Sequence, residues 1–203
     1  MPHFTDLTGL VGVAVAMTTA LPQLPRIARL PQPALAKLLG AFFVLTLIPL
    51  GTLPLAGYVR GATGDLSITT QVLLWCALLR PWVTFDSGWI ASRRALLLLA
   101  ALAALFLYPM ALGIGMFDPY RMGYGALLFV LALLSLALAA WFFGSRLVTL
   151  CIALATLAWA LGWHESGNLW DYLLDPFLAI YALGSTLGLA LKVLRRRAAS
   201  RPC

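Results

Sequence analysis

Charge is what this chain has least of. Only 10% of its 203 residues are charged, where a water-soluble globular chain carries about a quarter. With 62% hydrophobic residues and a mean hydropathy of +0.94, the composition argues against a soluble enzyme or a disordered tail. Histidine is nearly missing: His3 and His164 are the whole supply, too few for a His-rich zinc or haem site. The three cysteines, Cys76, Cys151 and Cys203, are scattered, without the paired spacing of a disulfide framework or a zinc site. No Gly-x-Ser-x-Gly elbow and no glycine-rich phosphate loop occurs. No reaction, cofactor or metal follows from the sequence.

What is present is apolar sequence in long runs. Seven segments read as spanning helices: Leu7 to Leu24, Ala34 to Val59, Ile68 to Phe85, Ala95 to Phe117, Ala126 to Phe143, Leu147 to Trp163 and Trp170 to Leu194. The expected fold is an all-α membrane protein, a bundle of about seven transmembrane helices in a single polytopic domain covering residues 1–203. The N-terminus lacks the basic start of a secretory signal, so the first helix is expected to stay. Gly144-Ser145-Arg146 is so short a connection that the fifth and sixth helices must be antiparallel neighbours.

Basic residues set the orientation. Arg26, Arg29, Lys37, Arg80, Arg93, Arg94, Arg146, Lys192, Arg195, Arg196, Arg197 and Arg201 fall on or near one face of such a bundle, and only Arg60 and Arg121 on the other. The excess marks the cytoplasmic side, so the N-terminus is outside and the C-terminus inside a cytoplasmic (inner) membrane. The net charge of +7 is then accounted for by insertion and by anionic membrane lipids, with no nucleic acid as a partner. Gly184-Ser185-Thr186-Leu187-Gly188 gives the last helix a GxxxG, read as close packing inside the bundle.

Of the seven acids, six fall outside in this topology: Asp6, Asp65, Asp118, Glu165, Asp171 and Asp175. Helix capping explains most of them, because helix N-termini on that face favour Asp. Asp6, Asp65 with Ser67, and Asp118-Pro119 precede the first, third and fifth helices, and Asp86 precedes the fourth from the inner side. The seventh has two candidate starts, Asn168 with Asp171, or Asp175-Pro176. Glu165 and Arg121 resist this account, each at the helix end that its charge opposes. They are expected to pair with each other, or Arg121 with Asp118. Otherwise His164, Glu165, Asn168, Asp171 and Asp175 form one outward-facing polar pocket, with His164 hydrogen-bonded to a loop carbonyl in the plainer reading.

Three functions follow from these residues. The first is an accessory or binding subunit, meeting an envelope protein partner, a lipid headgroup or an ion through Arg60, Asp65, Asp118, Arg121, Asn168, Asp171 and Asp175. The second is an integral-membrane enzyme on a lipid-linked envelope substrate, with His164 and Glu165 moving protons; it requires Glu165, His164 and at least two further acids to meet. The third is a small-solute transporter built on proline-broken helices around Arg80, which lies deep within the third apolar run, about 18 Å from its start at Ile68. Leu21-Pro22-Gln23, followed by basic residues, resembles the motif of PQ-loop transporters, which also have seven helices and an outside N-terminus. Phe143-Gly144-Ser145-Arg146 holds no second proline-glutamine pair, so the resemblance ends at three residues and assigns no family.

Overall fold

In the computed structural model residues 4–199 are described, with side chains for residues 7–196. His3, Arg201 and Cys203 lie outside the described residues, and so do the side chains of Asp6 and Arg197. Ten α-helices occur among the described residues: α1 Phe4–Ala20, α2 Pro25–Ala28, α3 Gln32–Leu47, α4 Leu55–Thr63, α5 Ile68–Leu79, α6 Ser87–Ala111, α7 Leu127–Phe142, α8 Arg146–Ala160, α9 Leu169–Leu173 and α10 Pro176–Ala199. No strand is present among them beyond an isolated bridge between Pro49 and Pro54. Two helices, α6 and the stretch Pro176–Arg196 of α10, are long and apolar enough to cross a membrane.

The chain divides into two compact units, Met1–Phe85 with Leu154–Leu173, and Asp86–Ala153 with Leu174–Cys203. In the first, α3, α4 and α5 all pack on α1. Val13, Ala14 and Ala56 are buried there among Leu10, Met17, Phe43, Leu47 and Val59. Three buried hydroxyls are satisfied by their own helices: Thr18 Oγ1 donates to the Ala14 carbonyl, Thr19 to Ala16 and Thr46 to Phe43, each at 2.7 Å. These threonines therefore cost little to bury.

The expected second span is cut in two. Helix α3 stops at Leu47 and α4 starts at Leu55, because Pro49 and Pro54 bring no N–H and clash with the preceding turn. Between them Leu50 N–H donates to the Leu53 carbonyl at 3.1 Å, and Gly51 takes φ +94°, a value that favours glycine. This turn lets α4 pack on both α1 and α3. The third expected span is also shorter: α5 ends at Leu79, with Arg80 still in helical geometry, since Pro81 brings no N–H to carry the ladder on. The Pro81 carbonyl accepts from Gln32 Nε2 at 2.8 Å.

In the second unit α6 begins at Ser87, eight residues before the expected start, because Asp86 Oδ1 accepts from Trp89 N–H at 2.7 Å and caps it. Arg93 and Arg94 are therefore helical. Helix α10 packs along α6. Ser92 Oγ, buried on α6, accepts from Leu147 N–H at 2.9 Å, and Thr149 Oγ1 donates to the Ala137 carbonyl at 3.1 Å, joining α7 to the start of α8 as the short connection requires. Leu127, Leu128, Leu131, Leu134 and Leu138 of α7 are all exposed.

Candidate functional site

The first unit gathers polar residues from segments far apart in sequence. Arg60, in the last turn of α4, donates from Nε to Asp65 Oδ1 at 2.6 Å, from Nη2 to Asp65 Oδ2 at 3.2 Å, and from Nη2 to Glu165 Oε1 at 3.1 Å. Gly64, with φ +74°, turns the chain so that Asp65 comes back to Arg60. The bidentate pair lies on Gly9 of α1: a Cβ there would overlap Asp65 Oδ1 and Arg60 Nε and stand 2.7 Å from Arg60 Cζ. One turn along the same helix, a Cβ at Gly12 would come within 3.0 Å of the Gln71 amide. That amide donates to the Leu66 carbonyl at 3.0 Å. Arg60 and Asp65 are largely shielded, whereas the Glu165 side chain is 69% exposed.

The other half of the cluster is the loop between α8 and α9. Tyr172, fully buried on α9, organises it: its Oη accepts from His164 N–H at 3.0 Å and faces the Ser166 carbonyl at 3.1 Å. Its ring stacks on the His164 imidazole, with centroids 4.5 Å apart and 15° between planes. Ser166 Oγ donates to Asp171 Oδ2 and accepts from Asn168 N–H. Asn168 Oδ1 accepts from Trp170 N–H at 2.9 Å and starts α9. Thr8 Oγ1 reaches the Trp163 carbonyl, tying the loop to α1.

His164 is the electrostatic centre. It is 4% exposed, and neither ring nitrogen meets a hydrogen-bonding group among the described residues, against the expectation of a loop-carbonyl bond. The aromatic stack holds the imidazole by its face, which leaves its edge without partners. Burial lowers its pKa from the usual 6.5 by disfavouring the charged form; Asp65 and Asp171 oppose that shift, and Arg60 adds to it. Burial thus favours the neutral ring, a donor and an acceptor with neither capacity used among the described residues.

Arg60, Asp65, His164, Glu165, Asn168 and Asp171 belong to this unit and this cluster. Asp65 is an ion-pair partner instead of a cap, because Ser67 Oγ takes the Thr70 N–H at 3.1 Å and starts α5. Glu165 pairs with Arg60 in place of the expected Arg121. Arg80 is exposed at the C-terminal end of α5. Asp118, Arg121 and Asp175 belong to the second unit. Asp118 Oδ1 accepts from Tyr120 N–H at 3.0 Å and caps the turn Pro119–Gly123, so Arg121 stands in that turn, exposed, ahead of α7. Asp175 Oδ1 accepts from Leu178 N–H at 2.8 Å and caps α10. Both candidate starts of the last helix are thus used, the first for α9 and the second for α10.

Sequence reasoning missed Gly9, Gly12, Ser166 and Tyr172. The i, i+3 spacing of Gly9 and Gly12 on an apolar helix was the available signal, since it clears one face for close approach. No group of three or more His, Cys, Asp or Glu side chains able to hold a metal ion occurs among the described residues. No protein-family model, curated protein or solved structure matches the chain.

Proposed function

We propose that the chain is a polytopic protein of the cytoplasmic membrane, N-terminus outside, that works as an accessory or binding subunit through the Arg60–Asp65–Glu165–His164 cluster on its outer face. Membrane placement is supported by the two long apolar helices and by the row of exposed leucines on α7, which in water would form an apolar patch of a kind monomers rarely carry. The orientation is supported by proximity as well as by charge bias. Gln32 bonds to Pro81 where both are assigned inside, while Gly9, Arg60, Asp65 and Glu165 meet where all are assigned outside.

One observation carries the binding reading: the charged groups are engaged with neighbours inside the cluster, and among the described residues Glu165 is the one presented outward. Asp65 is chelated by Arg60, Asp171 is held by Ser166, and the imidazole edge is covered. One guanidinium set against three carboxylates leaves an acidic surface, suited to a cationic group on a partner and not to a phosphate headgroup. To test this, the tagged chain is extracted from native membranes. Expected is one defined envelope protein at fixed stoichiometry, lost on Glu165→Lys; a solitary monomer overturns the reading. With the native cysteines replaced, an impermeant maleimide should label Glu165→Cys from outside and Arg29→Cys from inside only. The reverse pattern overturns the orientation.

A second reading has one observation in its favour. His164 and Glu165 lie together with Asp65 and Asp171, the convergence that a membrane enzyme would require, and a neutral imidazole is competent as a base. That reading needs the imidazole edge to open to substrate. Turnover of a lipid-linked substrate by purified protein, abolished by His164→Gln, is its test.

A further inference from the structure

We propose that the cavity between α6 and α10, in the second unit, is a receptor for the phosphate of an anionic phospholipid headgroup. The cavity measures about 320 Å³ and is lined by Arg93, Arg94 and Lys192, with Gly184, Ser185 and Gly188 between them and no carboxylate among the described residues. Residues 184, 188 and 192 follow one another at i, i+4 spacing and so share one face of α10. The arginines stand on the second turn of α6. Three cations facing one space repel one another, and a phosphate relieves that repulsion while taking charge-assisted hydrogen bonds from the guanidinium groups.

The glycines point to the same use. A Cβ added at Gly184 or Gly188 would meet nothing within 4 Å, so this GxxxG does not serve the close backbone approach for which the motif is known. It keeps side chains out of a space that the cations surround. Arg93 is positioned for this: it donates from Nη2 to Tyr181 Oη and lies 5.7 Å from the centroid of that ring, which fixes the side chain and leaves other guanidinium donors for an anion.

A lipid is favoured as the source of the phosphate because α6 and α10 are the two helices long and apolar enough to cross a membrane. Exposed Leu98, Leu102 and Leu105 continue along α6 from the cationic end, giving acyl chains an apolar track. Basic pockets between helices on the cytoplasmic side take anionic headgroups by this combination. The inference rests on the membrane placement proposed above and not on the outer cluster. Resistance of the chain to alkaline extraction from membranes tests that placement separately.

The experiment uses the full chain, purified in detergent, stripped of lipid and offered short-chain phosphatidylglycerol, phosphatidylcholine of the same chain length, or inorganic phosphate, with binding followed by native mass spectrometry. Expected is preference for phosphatidylglycerol, weakened about fivefold for each of Arg94→Gln and Lys192→Gln, kept by Arg94→Lys, and abolished by Gly188→Leu, which fills the cavity without altering charge. Inorganic phosphate binding as tightly as the lipid keeps the phosphate site and reassigns its source to a free anion. Equal retention of the two lipids, or phosphatidylglycerol binding unchanged in Gly188→Leu, overturns the proposal. So does a dimer that Gly188→Leu dissolves, since the open face would then belong to a second copy.

Discussion

Tyr172 holds His164 twice, through its hydroxyl on the backbone N–H at 3.0 Å and through its ring face on the imidazole at 4.5 Å. The two contacts separate chemically. Tyr172→Phe keeps the stack and removes the hydroxyl, leaving the His164 N–H buried without its partner, a loss of about 1–3 kcal/mol. Thermal unfolding in detergent should show a clear fall in Tm for this variant and a larger one for Tyr172→Ala, which empties the ring site as well.

Gly9→Ala places a methyl group where the Arg60–Asp65 pair lies. Overpacking of this kind costs about 1–3 kcal/mol, and here it also parts an ion pair. Gly12→Ala should be milder, because the neighbour that must move is the end of the flexible Gln71 side chain. Gly184→Ala should leave stability unchanged or raise it by up to about 1 kcal/mol, since its Cβ meets open space and alanine favours helix. The order of the three Tm values checks the argument.

The pH dependence of stability has a definite sign. Because burial depresses the His164 pKa below 6.5 in the folded state, the unfolded chain binds the proton more readily. Stability is therefore full above about pH 6.5 and falls as the pH drops below it, until the folded-state pKa is passed. His164→Gln should flatten this slope between about pH 5 and 7. Asp65→Asn should steepen it, because it removes a charge that favours the imidazolium. Chemical unfolding at stepped pH reads both.

The two carboxylates on Arg60 are unequal. Glu165 is mostly exposed and meets one nitrogen, so Glu165→Gln should change stability by no more than about 1 kcal/mol. Asp65→Asn takes from a shielded guanidinium the carboxylate that meets two of its nitrogens, and its cost should exceed that of the Glu165 variant. A double-mutant cycle between Arg60 and Asp65 should give the larger coupling energy.

The caps on Asp86, Asn168 and Asp175 were legible because capping is a local rule, readable within three residues. Asp65 obeyed the same pattern and escaped it. Ser67 stands closer to α5, and Gly64 turns Asp65 back toward Arg60, which a linear reading does not display. The partner of Glu165 lies 105 residues away, beyond any local signal, and Arg121 was the nearer cation to suspect. Pro49 and Pro54 were visible as irregularities, yet hydropathy stays high across them and the run read as one helix. The apolar class of the chain was plain from composition. The floor under the ion pair was not, because a glycine in a greasy helix looks like filler until the opposing side chain is placed.

Helix α4 has only nine residues, shorter than the length at which a helix persists unaided in water. Its form is borrowed, at one end from the packing of Ala56 and Val59 beside α1 and at the other from Arg60 gripping two acids. A partner that drew Glu165 away would loosen one anchor of this borrowed helix. Occupancy at the rim would then be felt as fraying back toward the Pro49–Pro54 corner, a mechanical tether between the surface and the interior of the same unit.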